Sequence, residues 1–417
     1  MATMSEDANA ILLLCGRFGP RSLVAPLEQG EYNRLARWLA SQGRRPSDLL
    51  QPDRLDSAAR GADLNLDRLT ALIGRGMQLA FAVEQWNRSG IWVLCRSDHD
   101  YPIRFKGHLR EKAPPVLFGA GDRSLLQGGG LAIVGSRNVD DEGARIAGEV
   151  AAWCASHRVR VVSGGARGVD KIAMSSALAT GGEVIGILAE DLLRSSVARD
   201  AREAISDGRL LLVSPNHPEA GFSVGTAMAR NKLIYAMADF ALVISAEHKK
   251  GGTWSGAVEE LQRAGGRPVF VRVGGAVQSG NSKLVDVGAI PWPKVSQTDE
   301  PPDVLNRAAA GRALKPVPQS DLLFDEPKAR STDASASVPG AESSASAAES
   351  GAGASSSVYE AVLPILLDAL KQPTAVEQLA ERLDVSKAQL TAWLKRAAVD
   401  GHVSRLTKPA RYLRRTP

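Results

Sequence analysis

The sequence predicts an α/β protein whose centre is a doubly wound parallel sheet. Six short, mainly apolar runs lie between residues 131 and 273, and amphipathic segments with helical spacing separate them. Apolar strands that alternate with helices are typical of a parallel sheet covered on both faces. The predicted strands are residues 131–134, 160–163, 184–188, 210–213, 241–244 and 268–273, and the helices between them include residues 142–156, 171–179 and 255–263.

A smaller region precedes this sheet. Residues 1–105 contain helical patterns such as "EYNRLARWLASQ" and end near a predicted strand, "IWVLC" at 91–95. We therefore expect a small, mainly helical N-terminal domain over residues 1–105, in which no chemistry is recognisable. The core domain is then predicted to span residues 106–295.

The segment after the core is predicted to be a flexible linker over residues 304–357. From Ala329 to Ser357 the chain is rich in Ser, Ala and Gly, and Val338 is the one large apolar residue. A segment of this composition cannot bury enough apolar surface to offset the entropy lost on ordering.

Residues 358–417 form another patterned region. Thr374-x-x-Glu377 and Ser386-x-x-Gln389 have the spacing of capping boxes that open helices. Helices followed by a hairpin, "HVSRLTKPARYLRR", are similar to a winged helix, which binds DNA in some proteins and other proteins elsewhere. The DNA contacts predicted for this domain are Lys387, Lys395, Arg396, Arg405, Lys408 and Arg411.

Composition favours a cytoplasmic protein without a membrane segment. Hydrophobic residues make up 44% of the chain and charged residues 23%, and no apolar stretch approaches the roughly 20 residues that span a bilayer. Cys15, Cys95 and Cys154 have neither metal-ligand nor disulfide spacing. The net charge is +5, and residues 401–417 hold five Lys or Arg and no acidic residue. This basic end is either a solvated tail or a contact surface for nucleic acid.

Three loops that follow predicted strands carry phosphate-binding residue types. They are "VGSR", "VVSGGARGVD" and "KKGGTW", and "ARNK" on a later helix adds a fourth element. Loops at the carboxyl ends of parallel strands line one crevice, so we expect these to meet. Asp170 is interpreted as a cap of the helix that follows the second loop. The candidate phosphate-binding residues are Gly135, Ser136, Arg137, Ser163, Gly164, Arg167, Arg230, Asn231, Lys232, Lys250, Gly252 and Thr253.

These loops lack the motifs of common cofactors. The chain has neither GxxxxGK[ST] nor GxGxxG, which argues against ATP hydrolysis and NAD chemistry. "GGTWSGAVEE" partly resembles the PGGxGTxxE signature of nucleotide phosphoribohydrolases, but the Pro and the second Gly-Thr pair are missing, and Glu259 and Glu260 are expected on an exposed helix face. We predict a non-enzymatic protein without cofactor or metal.

Together the motifs resemble the DNA-processing protein A (DprA, or Smf) family. The resemblance covers roughly residues 90–275 and rests on "AIVGSR", "VVSGGARGVDKIAMSSALATGGEVIGIL", "ARNKLIYAMAD" and "GGTWSGAVEELQRAGGRPVFV", preceded by a similar approach segment at 91–122. It implies an extended Rossmann-like fold that binds single-stranded DNA in a basic pocket. It also implies homodimers and a role in loading a RecA-type recombinase during natural transformation.

The resemblance assigns roles to individual positions. Ser136 and Arg137 match a phosphate-contacting GSR turn, Arg167 matches a basic position of the second loop, and 230–232 match an RNR motif with Lys in third place. Met174 replaces the family's usual His. Some relatives with this fold are associated with antiphage defence, so a neighbouring defence protein is another predicted partner.

Two other functions are compatible with the same residues. The crevice loops suit a nucleotide-binding sensor or a phosphoribohydrolase-like protein, and the tethered C-terminal region suits an antitoxin-like regulatory partner. Binding of oligothymidylate compared with a panel of nucleotides distinguishes the DNA-binding prediction from the nucleotide-binding one.

Overall fold

The computed structural model describes residues 4–18, 24–274 and 279–311 and part of the chain beyond 362. The positions described there are 363, 366–370, 372–376, 378–379, 390–391, 394, 396–398, 400–407 and 410–414. The described residues belong to two compact units, one up to residue 311 and one from residue 363. In these parts of the chain, no helix is both long enough and apolar enough to cross a membrane.

The first unit begins with helices packed around an apolar first helix. Ser5 caps that helix by accepting a hydrogen bond from the Ala8 N–H, and its residues Ile11–Leu14 are buried. The α-helices are α1 (Glu6–Cys15), α2 (Gln29–Ser41), α3 (Leu55–Ala62), α4 (Leu66–Ile73) and α5 (Gly76–Arg88), with 3-10 turns at Pro46–Leu50 and Pro52–Arg54.

A nine-stranded sheet follows in the part of the chain up to residue 311. Its strands are β1 (Trp92–Cys95), β2 (Val116–Ala120), β3 (Leu131–Gly135), β4 (Val161–Ser163), β5 (Val184–Ile187), β6 (Leu210–Ser214), β7 (Phe240–Ser245), β8 (Val269–Val271) and β9 (Ile290–Pro291). The order across the sheet is β1-β2-β6-β5-β4-β3-β7-β8-β9. The strands from β3 to β9 run parallel, which confirms the predicted parallel sheet.

The first two strands differ from the all-parallel prediction. β1 pairs antiparallel with β2, and β2 pairs antiparallel with β6. The predicted N-terminal region therefore contributes an edge to the same sheet, and its helices share one hydrophobic core with it. A short antiparallel edge needs no long crossover, so a single apolar run such as "IWVLC" does not reveal its direction.

Helices cover both faces of the sheet. The helices that follow β2 are α6, at Ile103–Leu109 between β1 and β2, then α7 (Asp141–Ser156), α8 (Val169–Ala179), α9 (Leu192–Val197), α10 (Arg199–Ser206), α11 (Val224–Met237), α12 (Gly251–Gln262) and α13 (Ser279–Val287), with 3-10 turns at Arg110–Lys112 and Arg123–Gln127. Successive strand residues point to opposite faces. Ile133 accordingly packs in the core under α7 and α8, and Ala132 and Val134 pack in the core under α11 and α12.

The chain reverses its winding direction at β3. From β3 it proceeds through β4 and β5 to β6 on one side, and β7 to β9 lie on the other side. Loops leave the carboxyl ends of two neighbouring strands in opposite directions at such a point, which opens a crevice between them.

The structured part of the first unit extends past the predicted start of the linker. A last helix, α14 (Pro301–Ala310), begins with proline, which suits the first turn of a helix. Leu305 is fully buried, so residues 304–310 are helical and packed rather than part of a tether. The remainder of the predicted linker lies outside the described residues.

The second unit contains the predicted hairpin. β10 (Val403–Thr407) pairs antiparallel with β11 (Ala410–Arg414). Leu366, Leu379, Leu390 and Leu394 are buried in one cluster, as their spacing predicted. Glu377, Ser386 and Gln389 lie outside the described residues, so the winged helix stays a prediction.

Candidate functional site

The crevice lies beyond the carboxyl ends of β3 and β7 and consists of two adjoining cavities. One has a volume of about 580 Å³, and we call it the Lys250 lobe. The other has a volume of about 680 Å³, and we call it the Arg194 lobe. Five residues line both cavities, and we call them the ridge: Arg137, Ala166, Phe222, Ala227 and Arg230.

The first predicted loop forms one wall of the Lys250 lobe. Gly135 and Ser136 line this lobe, and the Ser136 hydroxyl closes a local turn by accepting from the Asn138 N–H at 3.1 Å. Arg137 is exposed, and its guanidinium lies 4.9 Å from the ring centre of Phe222. This stacking holds a cation on the ridge beside a flat apolar surface.

The second loop lines the Arg194 lobe with backbone. Gly165 and Gly168 have φ angles of 68° and 87°, which L side chains rarely adopt. Exposed Arg167 lines this lobe and donates to Asn138 Oδ1 at 3.0 Å, which ties the first two loops together. Ser163 is a wrong prediction, because its fully buried hydroxyl donates to the Ile133 carbonyl at 2.6 Å. The side chain therefore joins two strands and does not face the crevice.

Arg230 and Asp170 form a buried pair beneath the ridge. Arg230 Nη1 lies 3.8 Å from Asp170 Oδ2, and each side chain is more than nine-tenths buried. Arg230 Nε and Nη1 have no hydrogen-bond partner among the described residues. A Cβ on Gly164 would lie 1.3 Å from Arg230 Nη1, so the guanidinium occupies space that glycine leaves open. Gly164 itself lines the Arg194 lobe.

Burial dominates the ionisation of this pair. It raises the pKa of Asp170 to about 6, although Arg230 and hydrogen bonds from the backbone of Ala166, Gly164 and Gly135 lower it. Burial also lowers the pKa of the Arg230 guanidinium, and Asp170 opposes that shift. The prediction that Asp170 caps α8 is wrong, because Gly168 occupies the cap position and Asp170 faces Arg230.

The third loop forms the opposite wall of the Lys250 lobe. Lys249, Lys250, Gly252 and Thr253 line it at the start of α12. The Lys250 ammonium lies 2.9 Å from Glu247 at the exposed rim. Thr253 donates its hydroxyl hydrogen to the Gly135 carbonyl at 3.1 Å, which fixes the start of α12 against the end of β3.

The fourth element, on α11, sends two of its three predicted residues to the crevice. Arg230 and Asn231 line it, and Asn231 donates to the Gly252 carbonyl at 3.0 Å. Lys232 lines neither lobe and pairs with Glu259 at 3.3 Å. Lys232 is therefore a wrong prediction for the site.

The two glutamates of the phosphoribohydrolase-like signature also lie outside both lobes. Glu259 pairs with Lys232. Glu260 is buried and accepts hydrogen bonds from His108 Nε2 at 3.0 Å and the Arg267 N–H at 2.6 Å. The expectation that Glu260 is exposed is wrong, and neither carboxylate reaches a ligand in the crevice.

Sequence reasoning missed one cation of the crevice and left two aromatic candidates unresolved. Arg194 lines the Arg194 lobe from α9, in a segment that matches none of the motifs above; its only sequence signal is its place after a predicted strand. Phe222 is 48% exposed, whereas Trp254 is buried with 5% exposed. Phe222 is therefore the accessible stacking surface of the two.

The crevice carries more positive than negative side chains. Six cationic residues line the two lobes, Arg137, Arg167, Arg194, Arg230, Lys249 and Lys250, against four acidic ones, Asp170, Glu190, Asp191 and Glu247. The excess suits an anion of low charge density per contact, such as a polymer backbone, better than a compact polyphosphate. No group of three or more metal-ligating side chains occurs in the described ranges.

The C-terminal DNA contacts are only partly accessible to description. Lys387, Lys395 and Lys408 lie outside the described residues, and Arg405 and Arg411 are described as backbone within β10 and β11. Exposed Arg396 lies 3.8 Å from Asp400 on the same helical segment. The prediction that these residues contact DNA remains untested.

Comparison with known proteins identifies relatives of the sheet domain. Residues 92–299 match the family model of DNA recombination-mediator protein A. The DNA processing protein DprA of Bacillus subtilis is 26% identical over 209 residues, which are 49% of this chain and 69% of that protein. Protein Smf of Synechocystis is 32% identical over 178 residues, 40% of this chain and 43% of that protein.

A solved structure shows the same fold. The crystal structure of DNA processing protein A from Streptococcus pneumoniae matches with a TM-score of 0.54 and 20% sequence identity. The match covers 69% of this chain and 94% of that one. The predicted Rossmann-like α/β architecture is thus confirmed.

Proposed function

Because residues 92–299 make this chain a member of the DprA/Smf family, we propose that it binds single-stranded DNA by holding the phosphate backbone in the crevice. The observation that carries the proposal is the convergence of Arg137, Arg167 and Arg230 from three chain segments on two adjoining lobes. Backbone contacts of this kind give affinity with little base preference.

The same geometry supports binding without covalent chemistry. The buried carboxylate closest to the ridge, Asp170, is engaged by Arg230 and by loop N–H groups. A carboxylate held in this way positions a cation and has no free approach to an attacking water or a leaving group. We therefore propose a binding protein rather than an enzyme.

The proposed cellular role is that of a DNA-processing mediator. The relatives are named for DNA processing and recombination mediation. Loading of a RecA-type recombinase, a function in antiphage defence, and a homodimer formed through the sheet domain are further parts of the proposal.

The test is the anisotropy of a fluorescein-labelled oligothymidylate titrated with the full-length protein. We expect Arg137→Ala plus Arg167→Ala to weaken binding at least tenfold. The salt dependence, log Kd against log salt, should fall by about 1.4, since each lost phosphate contact on a single strand removes about 0.7. The matched control is Lys232→Ala plus Lys283→Ala, which removes two lysines that pair with Glu259 and Asp286 away from the crevice.

Equal losses in both double variants would show that binding reflects overall charge and not this site. Unchanged affinity in the arginine variant would contradict the proposed site. Tight binding of a mononucleotide, without retention of oligothymidylate, would replace the proposal with a nucleotide-binding function.

A further inference from the structure

We propose that the binding unit of the crevice is a dinucleotide step, with its central phosphodiester on Arg230 and one nucleoside in each lobe. This inference rests on the proposed function and specifies which part of the DNA strand the site recognises.

The first observation is the division of the crevice. The Lys250 lobe and the Arg194 lobe measure about 580 and 680 Å³, and both are within the range of cavities that hold a small ligand. The ridge lines both lobes, so a chain that enters one and leaves through the other passes over Arg137 and Arg230.

The second observation is the unused hydrogen-bonding capacity of Arg230. Its side chain is only 7% exposed, and Nε and Nη1 lack partners among the described residues. A buried guanidinium that is only partly satisfied is costly. A phosphodiester oxygen would supply the missing acceptor, because guanidinium binds phosphate through paired N–H donors.

The third observation is the different chemistry of the two lobes. The Lys250 lobe has an apolar lip formed by Phe222, Val224 and Met228, which are 48%, 67% and 44% exposed. This lip can cover the face of a base. The Arg194 lobe is lined by the glycine-rich backbone of 164–166 and by Arg194, which suit a sugar and a base stacked on a guanidinium plane.

These observations favour a diester over a terminal phosphate. A terminal phosphate carries nearly two charges and needs several cations at one point. Arg230 is already paired with Asp170, so its remaining capacity matches the single charge of a diester.

The test is competition against labelled oligothymidylate on the full-length protein. The competitors are the dinucleotide TpT, thymidine 5′-monophosphate, and TpT with a neutral methylphosphonate linkage. We expect TpT to compete at least tenfold better than the monophosphate, although TpT carries less charge. We expect the methylphosphonate to compete at least tenfold worse than TpT, because it lacks the charged oxygen.

A variant pair assigns this discrimination to one side chain. Arg230→Gln should abolish the difference between TpT and its methylphosphonate. Lys232→Gln, two residues along α11 and paired with Glu259, should preserve it. The wild-type competition decides the inference even if Arg230→Gln fails to fold.

The outcomes separate the two levels of the argument. If oligothymidylate binds but the monophosphate competes as well as TpT, the dinucleotide inference is wrong and the proposed function stands. If the methylphosphonate competes as well as TpT, the ridge does not hold the phosphodiester. If oligothymidylate does not bind at all, the proposed function fails, and this inference fails with it.

Discussion

The substitution Gly164→Ala tests how the ridge is built. A Cβ at this position would lie 1.3 Å from Arg230 Nη1 and 2.6 Å from Asp170 Oδ2, far inside van der Waals contact. Asp170 is buried and held by backbone hydrogen bonds, so Arg230 is the group that must move. We expect Gly164→Ala to displace the guanidinium and to separate the pair.

The size of the effect follows from the added methyl group. Overpacking of a filled interior costs about 1–3 kcal/mol. We therefore expect the free energy of unfolding to fall by about 1–3 kcal/mol in urea denaturation. Oligothymidylate binding should weaken at least tenfold because the displaced arginine no longer reaches the ridge.

The matched control is Gly107→Ala. Gly107 lies within α6, and a Cβ there would meet nothing within 4 Å. We expect this variant to be neutral or more stable by about 0.5–1 kcal/mol. If Gly164→Ala behaves like Gly107→Ala in stability and in binding, the packing of Arg230 against Gly164 is not as described.

Three further predictions concern charge and packing around the crevice. DNA affinity should rise as the pH falls from 7 through about 6, because the raised pKa of Asp170 means that protonation there removes the carboxylate that competes for Arg230; Asp170→Asn should remove most of this pH dependence in anisotropy titrations. Thr253→Val should destabilise the fold by about 1 kcal/mol in urea denaturation and weaken DNA binding, since it breaks the bond to the Gly135 carbonyl; unchanged stability would contradict a role for that bond. Glu260→Ala should lower the free energy of unfolding by about 3–5 kcal/mol, because it strips a buried partner from His108, and retention of wild-type stability in thermal unfolding would be inconsistent with this.

The pH dependence has a definite sign for stability as well. Burial raises the pKa of Asp170 above its value in the unfolded chain. Between the two values the folded state binds the proton more strongly, so this group favours folding more as the pH falls through about 6 and down to the unfolded pKa. The contribution is constant below the unfolded pKa.

The strands and their loops were predictable because they depend on local pattern. An unbroken apolar run such as "LLLV", residues 210–213, identifies a strand covered on both faces, and the structure places β6 at Leu210–Ser214. The glycine-rich loops follow directly from the strand ends. The antiparallel direction of β1 and β2 was not predictable, since short runs carry no information on direction.

The crevice was predictable as a place but not in its side chains. Ser163 ends a strand beside glycines, yet its hydroxyl bonds to the neighbouring strand. Arg194 follows no motif, yet it lines one lobe. Both outcomes depend on which way a side chain points after the strands have paired, and residue type does not determine that.

The sequence alone therefore determined the sheet, the loops at its carboxyl edge and the cations that follow them. Only the tertiary structure decided which of those cations reach a ligand. Arg230 and Lys232 are two positions apart on α11, which places them about 200° apart around the helix, so one faces Asp170 and the other faces Glu259. Asp170 and Arg230 are brought together because the chain reverses its winding at β3, a contact between distant segments that no local pattern encodes.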